Sequence, residues 1–286
     1  MGILDKLKPQ PRWKHSDPAV RLQALADLAD PTELAALAAQ DPDPNVRAAA
    51  IEKIEDAAVL GRVAAGDASQ DVRDAAADRL VALAVGGSSQ DAVTAAGLVT
   101  DVRRASTIAK SSAADPVREA ALAKLTDERA LGGVARHAKV ESTALAAALR
   151  LTSQEELLST VLNSDHRDVA LAAFDRVVPA SGADVALLES IAARAQQKAV
   201  ARRAKAMLQE IEDAEHARRA AEAERQKQEA SLCAAIEDLA SAGDPDRAAA
   251  ELARLDAAWN ALAGADPAAA RRFAAGADVA RARITK

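Results

Sequence analysis

The chain repeats itself every 26 residues, and that period limits what it can fold into. Val20-Arg21, Val46-Arg47 and Val72-Arg73 stand 26 positions apart. The pair returns at Val117-Arg118, and Thr143 and Val169 carry the series on without the arginine. Four residues after each of the first four valines comes a small residue: Ala24, Ala50, Ala76 or Ala121. Four further on comes a larger one: Leu28, Ile54, Leu80 or Leu125. Such a row lies along one face of a helix. A second phase runs beside the first. Asp30, Asp56, Asp101, Asp127 and Ser153 each precede an apolar residue by four positions: Leu34, Leu60, Ala105, Leu131 and Leu157. Their intervals are 26, 45, 26 and 26, so one interval holds a 19-residue insertion.

Each unit therefore holds two helices. Asp and Ser at the start of the first helix accept bonds from the free amides of a first turn. The turn into the second reads Asp41-Pro42-Asp43-Pro44-Asn45, Asp67-Ala68-Ser69-Gln70-Asp71 or Asp115-Pro116, with Asp17-Pro18 in the same place at the start. Proline at a first helical position lacks only an amide that would be unpaired there. A unit this short cannot bury its apolar side alone, so the units must stack on one another.

Tandem helix pairs with Asp-Pro-x-Val-Arg at the entry to the second helix resemble HEAT repeats. Asp17-Pro18-Ala19-Val20-Arg21 and Asp43-Pro44-Asn45-Val46-Arg47 carry the resemblance, which covers about residues 17–180. The units are shorter than the usual ~40-residue repeat of that family. The order of segments is similar to bacterial HEAT-repeat proteins of unassigned function in which long charged helices follow the repeats. The resemblance implies an all-α fold with a short α-solenoid and brings no activity with it.

The expected organisation is an N-terminal cap segment at 1–16, repeats over 17–182 and a long-helix region over 183–286. In the insertion, near 84–100, Gly86-Gly87 ends the preceding helix, and Ser88 or Ser89 would cap an extra helix to about Val99. That helix would either pad the stack or stand out as a bump. After Pro179-Ala180-Ser181-Gly182 a helix is expected over 184–196, with Leu187, Leu188 and Ile191 inward. From Gln197 to Ser241 there is no Gly or Pro. Fully helical, that run would reach about 65 Å. Its middle offers only alanine between charges, and pairs such as Glu215 with Arg219 would support an exposed helix. Ala242-Gly243-Asp244-Pro245 reads as a stop and a fresh start. Leu252, Leu255, Trp259 and Leu262 then form a short coiled-coil seam. Gly264 and Asp266-Pro267 make a second hinge before a last helix marked by Phe273 and Ile284. The region reads as a helical hairpin or a three-helix tail, and its apolar teeth would allow self-association.

Composition narrows the function classes. Among 286 residues, 43 acidic side chains face 37 basic ones, for a formal charge of −6. The balance does not suit a protein that coats nucleic acid. Four aromatics are present, Trp13, Phe174, Trp259 and Phe273, so the core must be thin and aliphatic. Cys233 is the one cysteine, which excludes an internal disulfide or a multi-cysteine zinc site. No apolar run approaches the ~18 residues of a spanning helix. Residues 1–15 have no secretory leader pattern, and Lys6 stands where an acylation motif after Gly2 needs Ser or Thr. A cytoplasmic setting without a membrane partner is expected.

Three groups of residues could carry function. Arg21, Arg47, Arg73 and Arg118 would read a ligand from one face, or bridge to Asp41, Asp67 or Asp71 as an internal ladder between units. The ladder is the expected role, because such stacks depend on contacts between neighbours. Arg194, Lys198, Arg202, Arg203 and Lys205 form the most basic stretch and would suit a phosphate backbone. A solvated helix side beside Glu210, Glu212 and Asp213 is the plainer alternative. His15, His137, His166 and His216 are scattered, and no metal site or catalytic residue is expected. Cys233 has no neighbouring histidine to activate it. Trp13 would cap the first repeat. No cofactor is implied.

The expected role is a non-catalytic scaffold or adaptor for another protein, with second-helix side chains forming one continuous concave surface. The alternative is an RNA- or ribosome-associated factor using 194–205. A HEAT-like DNA glycosylase is a remote third reading, since it needs a positive groove and aromatic support for the extruded base.

Overall fold

Sixteen α-helices and a 3-10 turn account for the secondary structure of the described residues, with no strand among them. The coordinates are a computed structural model describing residues 10–179, 184–239, 245–262 and 264–285. The leader and acylation readings at residues 1–9, the Ala180–Gly182 linker and the Ala242–Asp244 stop lie outside the described residues. None of the described helices is long and apolar enough to cross a membrane.

The chain divides into two compact units, residues 1–205 and 206–286. The division falls at 205/206 and not at the expected 182/183. The reason is burial: Leu188 and Ile191 of α13 (Val185–Arg194) and Val200 and Ala204 at the start of α14 (Lys198–Leu239) are inaccessible to solvent. They extend the first unit by one more pair of helical segments.

In the first unit each first helix begins on the expected cap. Asp30 accepts from the amide of Thr32 at 2.8 Å at the head of α2 (Pro31–Gln40). Asp56 does so at α4 (Ala57–Gly66), Asp101 at α7 (Val102–Ser111), Asp127 at α9 (Glu128–His137) and Ser153 at α11 (Gln154–Asn163). The second helices are α1 (Pro18–Leu25), α3 (Pro44–Ile51), α5 (Gln70–Gly86), α8 (Asp115–Ala123), α10 (Glu141–Arg150) and α12 (Arg167–Val177). Asp17 and Asp43 cap α1 and α3 with proline at the first helical position. Asp115 is instead inside α8, whose cap position is Ala114. Ahead of α1, the Arg12–Lys14 turn packs against that helix, and Lys14 pairs with Glu33 at 2.9 Å. Trp13 is half-buried there.

Packing links mainly helices one or two places apart in the chain. One row runs α1, α3, α5, α7, α9, α11, α13, and the other α2, α4, α6, α8, α10, α12. The insertion supplies α6 (Gln90–Leu98), which packs on α4, α5 and α8. Ala92, Ala95, Ala96 and Val99 are buried, so the insertion pads the stack. Because it adds a single helix, α7, a first helix, rests on α5, a second helix. First and second helices thus trade rows at α6. The expectation of one surface made of second helices throughout fails for this reason.

In the second unit, the later part of α14, α15 (Pro245–Ala261) and α16 (Pro267–Ile284) form three helices around Cys233, Ile236, Leu252, Leu255, Phe273 and Ala277. Trp259 stacks on Phe273, with ring centroids 4.4 Å apart. Gly276 lets α16 approach α14: a Cβ there would stand 2.8 Å from a methyl of Ile236. Gly264 takes the left-handed conformation (φ 73°) in the turn before α16. Buried Glu229 holds that turn, accepting from the Asp266 amide at 3.1 Å and from Arg225 at 2.7 Å.

Candidate interaction surfaces

Arginine ladders between successive repeats decide which charged side chains remain for a partner. Arg21 places its fork on the Asp41 carboxylate, both bonds at 2.7 Å, and donates its other nitrogen to the carbonyls of His15 and Ser16. Arg47 repeats this one unit later, with two bonds of 2.8 Å to Asp67 and one of 2.7 Å to the Asp41 carbonyl. Each turn aspartate therefore joins two arginines, one through its side chain and one through its backbone. Asp41 and Asp67 also accept from the amides two residues on, at 2.9 and 2.8 Å, which fixes the turn itself. The Arg47 side chain holds the Asp67 carboxyl below the usual carboxylate range, and the same bond raises Arg47.

The ladder then changes. Arg73 bonds the Asp67 carbonyl and Gln70, and no aspartate occupies the next rung, where α6 has entered. Asp71 is exposed in the first turn of α5 and is not a rung. Arg118 reaches the Thr143 hydroxyl at 2.9 Å and the carbonyls of Ser112 and Ala113, and its acid is Asp115 of its own helix. Of the expected acids, only Asp41 and Asp67 bridge neighbouring units.

A second series of cations runs at the same repeat spacing. Lys53 donates to the carbonyls of Leu25 and Ala26, and Arg79 to that of Ile54. Arg150 donates to Leu122 and Leu125, and Arg176 to Ala148 and Leu151. Lys53, Arg150 and Arg176 cover the open carbonyl end of the second helix one repeat back, where the helix dipole favours positive charge, and Arg79 reaches the turn that follows α3. Positions 53, 79, 124, 150 and 176 are all basic, at intervals of 26, 45, 26 and 26, so the repeat spacing itself was the signal. Later turns add a further link. Glu128 accepts from the Thr152 hydroxyl at 2.5 Å, a bond that lowers its carboxyl, and Asp165 is lowered by His137 at 2.9 Å.

Beyond the residues committed to the stack, two surface features stand out. On α14, Lys198, Arg202 and Lys205 are exposed and lie on one side of the helix at i, i+4 and i+7. Arg194 is exposed at the end of α13. Arg203 does not join them. It pairs with Asp175 at 2.7 Å and lies over the Phe174 ring, 5.4 Å from its centre. The expected five-residue phosphate site is therefore split, with one cation engaged in packing. The other feature is apolar. Leu149 on α10 is 62% exposed, the most of any large apolar side chain among the described residues, and Leu145 and Leu171 are half-buried nearby in the same row.

Elsewhere the titratable groups serve the fold. A cleft of about 540 Å³ lined by Leu28, Leu34, Ile54 and Val59 also contains Lys53 and Asp56, which brace α1 and cap α4. Burial pushes the Cys233 thiol up, away from its reactive form. No group of three or more metal-ligating side chains occurs among the described residues. Compared with known proteins, the chain matches no family model, no curated protein and no solved structure.

Proposed function

We propose that the chain is a non-catalytic adaptor of the HEAT-like α-solenoid kind, which binds another protein through the outer side of its later repeats. The observation that carries this reading is Leu149, 62% exposed on α10, four residues from half-buried Leu145, with half-buried Leu171 at the Leu145 position of the adjacent α12. Scattered single leucines on a surface need no explanation, but neighbouring ones in adjacent helices of a stack suggest a contact site. The long row of braced helices supports the same reading, since it offers a preformed surface that loses little freedom on binding. The cations at 194–205 keep an RNA-associated role as the alternative.

The test is affinity capture on the full chain, with and without nuclease, comparing wild type with Leu149→Asp. A protein retained after nuclease and lost from the variant supports the adaptor. Captured material that depends on nucleic acid, or that ignores the variant, overturns it. Circular dichroism of the variant should match wild type, because Leu149 contributes little to the core.

A further inference from the structure

The geometry points to a partner that presents an acidic amphipathic helix to the outer side of α10, α12 and the start of α14. This rests on the adaptor reading and adds the chemistry of what that surface takes. Equivalent positions of successive helices lie side by side in the stack. Counted from the buried residues Thr143, Val169 and Val200, the same position is Leu145 in α10, Leu171 in α12 and Arg202 in α14. The start of α14 is held beside α12 by Arg203, through Phe174 and Asp175. The surface therefore grades from leucine to cation along the row.

Charge on this surface favours cations toward α14. Asp175 is paired with Arg203, Asp168 with Arg167 at 3.2 Å, and Glu141 stands exposed at the far end, four residues before Leu145 on α10. Lys198, Arg202 and Lys205 have no carboxylate within ion-pair distance among the described residues. The acids next in sequence, Glu210, Glu212 and Asp213, begin beyond the end of this unit. A helix with apolar residues three and four apart would cover Leu145, Leu149 and Leu171. Acidic residues along its edge would face the three cations and speed encounter. Nucleic acid fits less well. It supplies phosphates but nothing to bury Leu149, and the described residues of this surface include no aromatic on which bases could stack.

An unbiased displayed library of helical peptides, about 16 residues each, selected on the full chain, tests the inference. The best peptide is then synthesised and its binding followed by fluorescence anisotropy. Net-acidic peptides with apolar residues at helical spacing are expected. Binding should fall about tenfold or more with Leu149→Asp, and equally with charge reversal of Lys198, Arg202 and Lys205 together. Thermal unfolding of both variants should stay close to wild type. Enrichment of neutral or basic peptides, no enrichment, or binding indifferent to both variants overturns the inference. So does displacement of the peptide by single-stranded RNA whose own binding depends on Leu149. If lysate capture remains sensitive to Leu149→Asp while the selected peptides are not acidic, the adaptor reading stands and only the partner chemistry falls.

Discussion

The early and the late repeats of the first unit hold their neighbours by different chemistry. Between α1 and α5 the links are ionic, and Arg21–Asp41–Arg47–Asp67 run as an alternating chain of forks and carboxylates. After α6 the turn rung itself is neutral, the Thr143 hydroxyl for Arg118, and the ion pair moves to the first helices, from Arg136 on α9 to Glu156 on α11 at 2.7 Å; carbonyl braces run through both halves, from Lys53 and Arg79 to Arg150 and Arg176. Both arrangements satisfy buried backbone groups at each turn, so the stack needs a donor there but does not need a particular acceptor. The early version gains a stronger bond and carries a greater risk, because removing one partner strands a charge. The late version gives up bond strength and frees its second helices to vary, which is where the leucine surface arises.

This contrast can be broken directly. Asp67→Ala should cost the most, about 2 kcal/mol, because Arg47 is left among protein atoms without its counter-charge. Urea unfolding of the full chain measures it, and a loss no greater than for an exposed pair would erase the distinction between the halves. Arg176→Met removes the brace over the end of α10 and should cost about 1 kcal/mol in the same assay. Thr143→Val should cost about 0.5 kcal/mol, since Arg118 keeps two carbonyls and Asp115. If Thr143→Val matched Asp67→Ala, the acceptor's charge would be irrelevant.

Acid below the ordinary carboxylate range tests the comparison further. Asp67, Glu128 and Asp165 are all held below the ordinary carboxylate range. Their contribution is full above that range and fades as pH falls through the lowered values. The carbonyl acceptors of Arg150 and Arg176 do not titrate. Amide exchange followed as pH falls should therefore show the turns at Asp67, Glu128 and Asp165 losing protection, while the ends of α8 and α10 braced by Arg150 and Arg176 keep theirs. Simultaneous loss would mean that the carbonyl braces do not hold the later repeats.

Much of the fold could be read from periodicity. The caps at Asp30, Asp56, Asp101, Asp127 and Ser153 start their helices as expected, and the valine row is buried at Val46, Val72, Val117 and Val169, with Val20 half-buried in the first repeat. A helix at 184–196 with Leu188 and Ile191 inward is present as α13. The unit boundary escaped because α14 is continuous through it, and no Gly or Pro marks where Val200 and Ala204 stop being covered. The candidate surface was less legible. Arg203 looked like its neighbours in sequence, but a partner ring and carboxylate from α12 take it up. Leu149 gave no signal either, since an apolar residue on a periodic helix reads as core until its neighbours are known. The braces at Arg150 and Arg176 recur at the repeat spacing but lie outside the Asp-Pro-x-Val-Arg motif.

The lone helix α6 has one more consequence. In an alternating array, parity decides which flank a given helix occupies, and an odd addition inverts everything downstream while leaving the buried contacts nearly unchanged. Removing or doubling such a helix would carry the leucines and cations to the opposite flank in a single step, so a relative differing only there could present its docking chemistry to the other side with hardly a change in the repeats themselves.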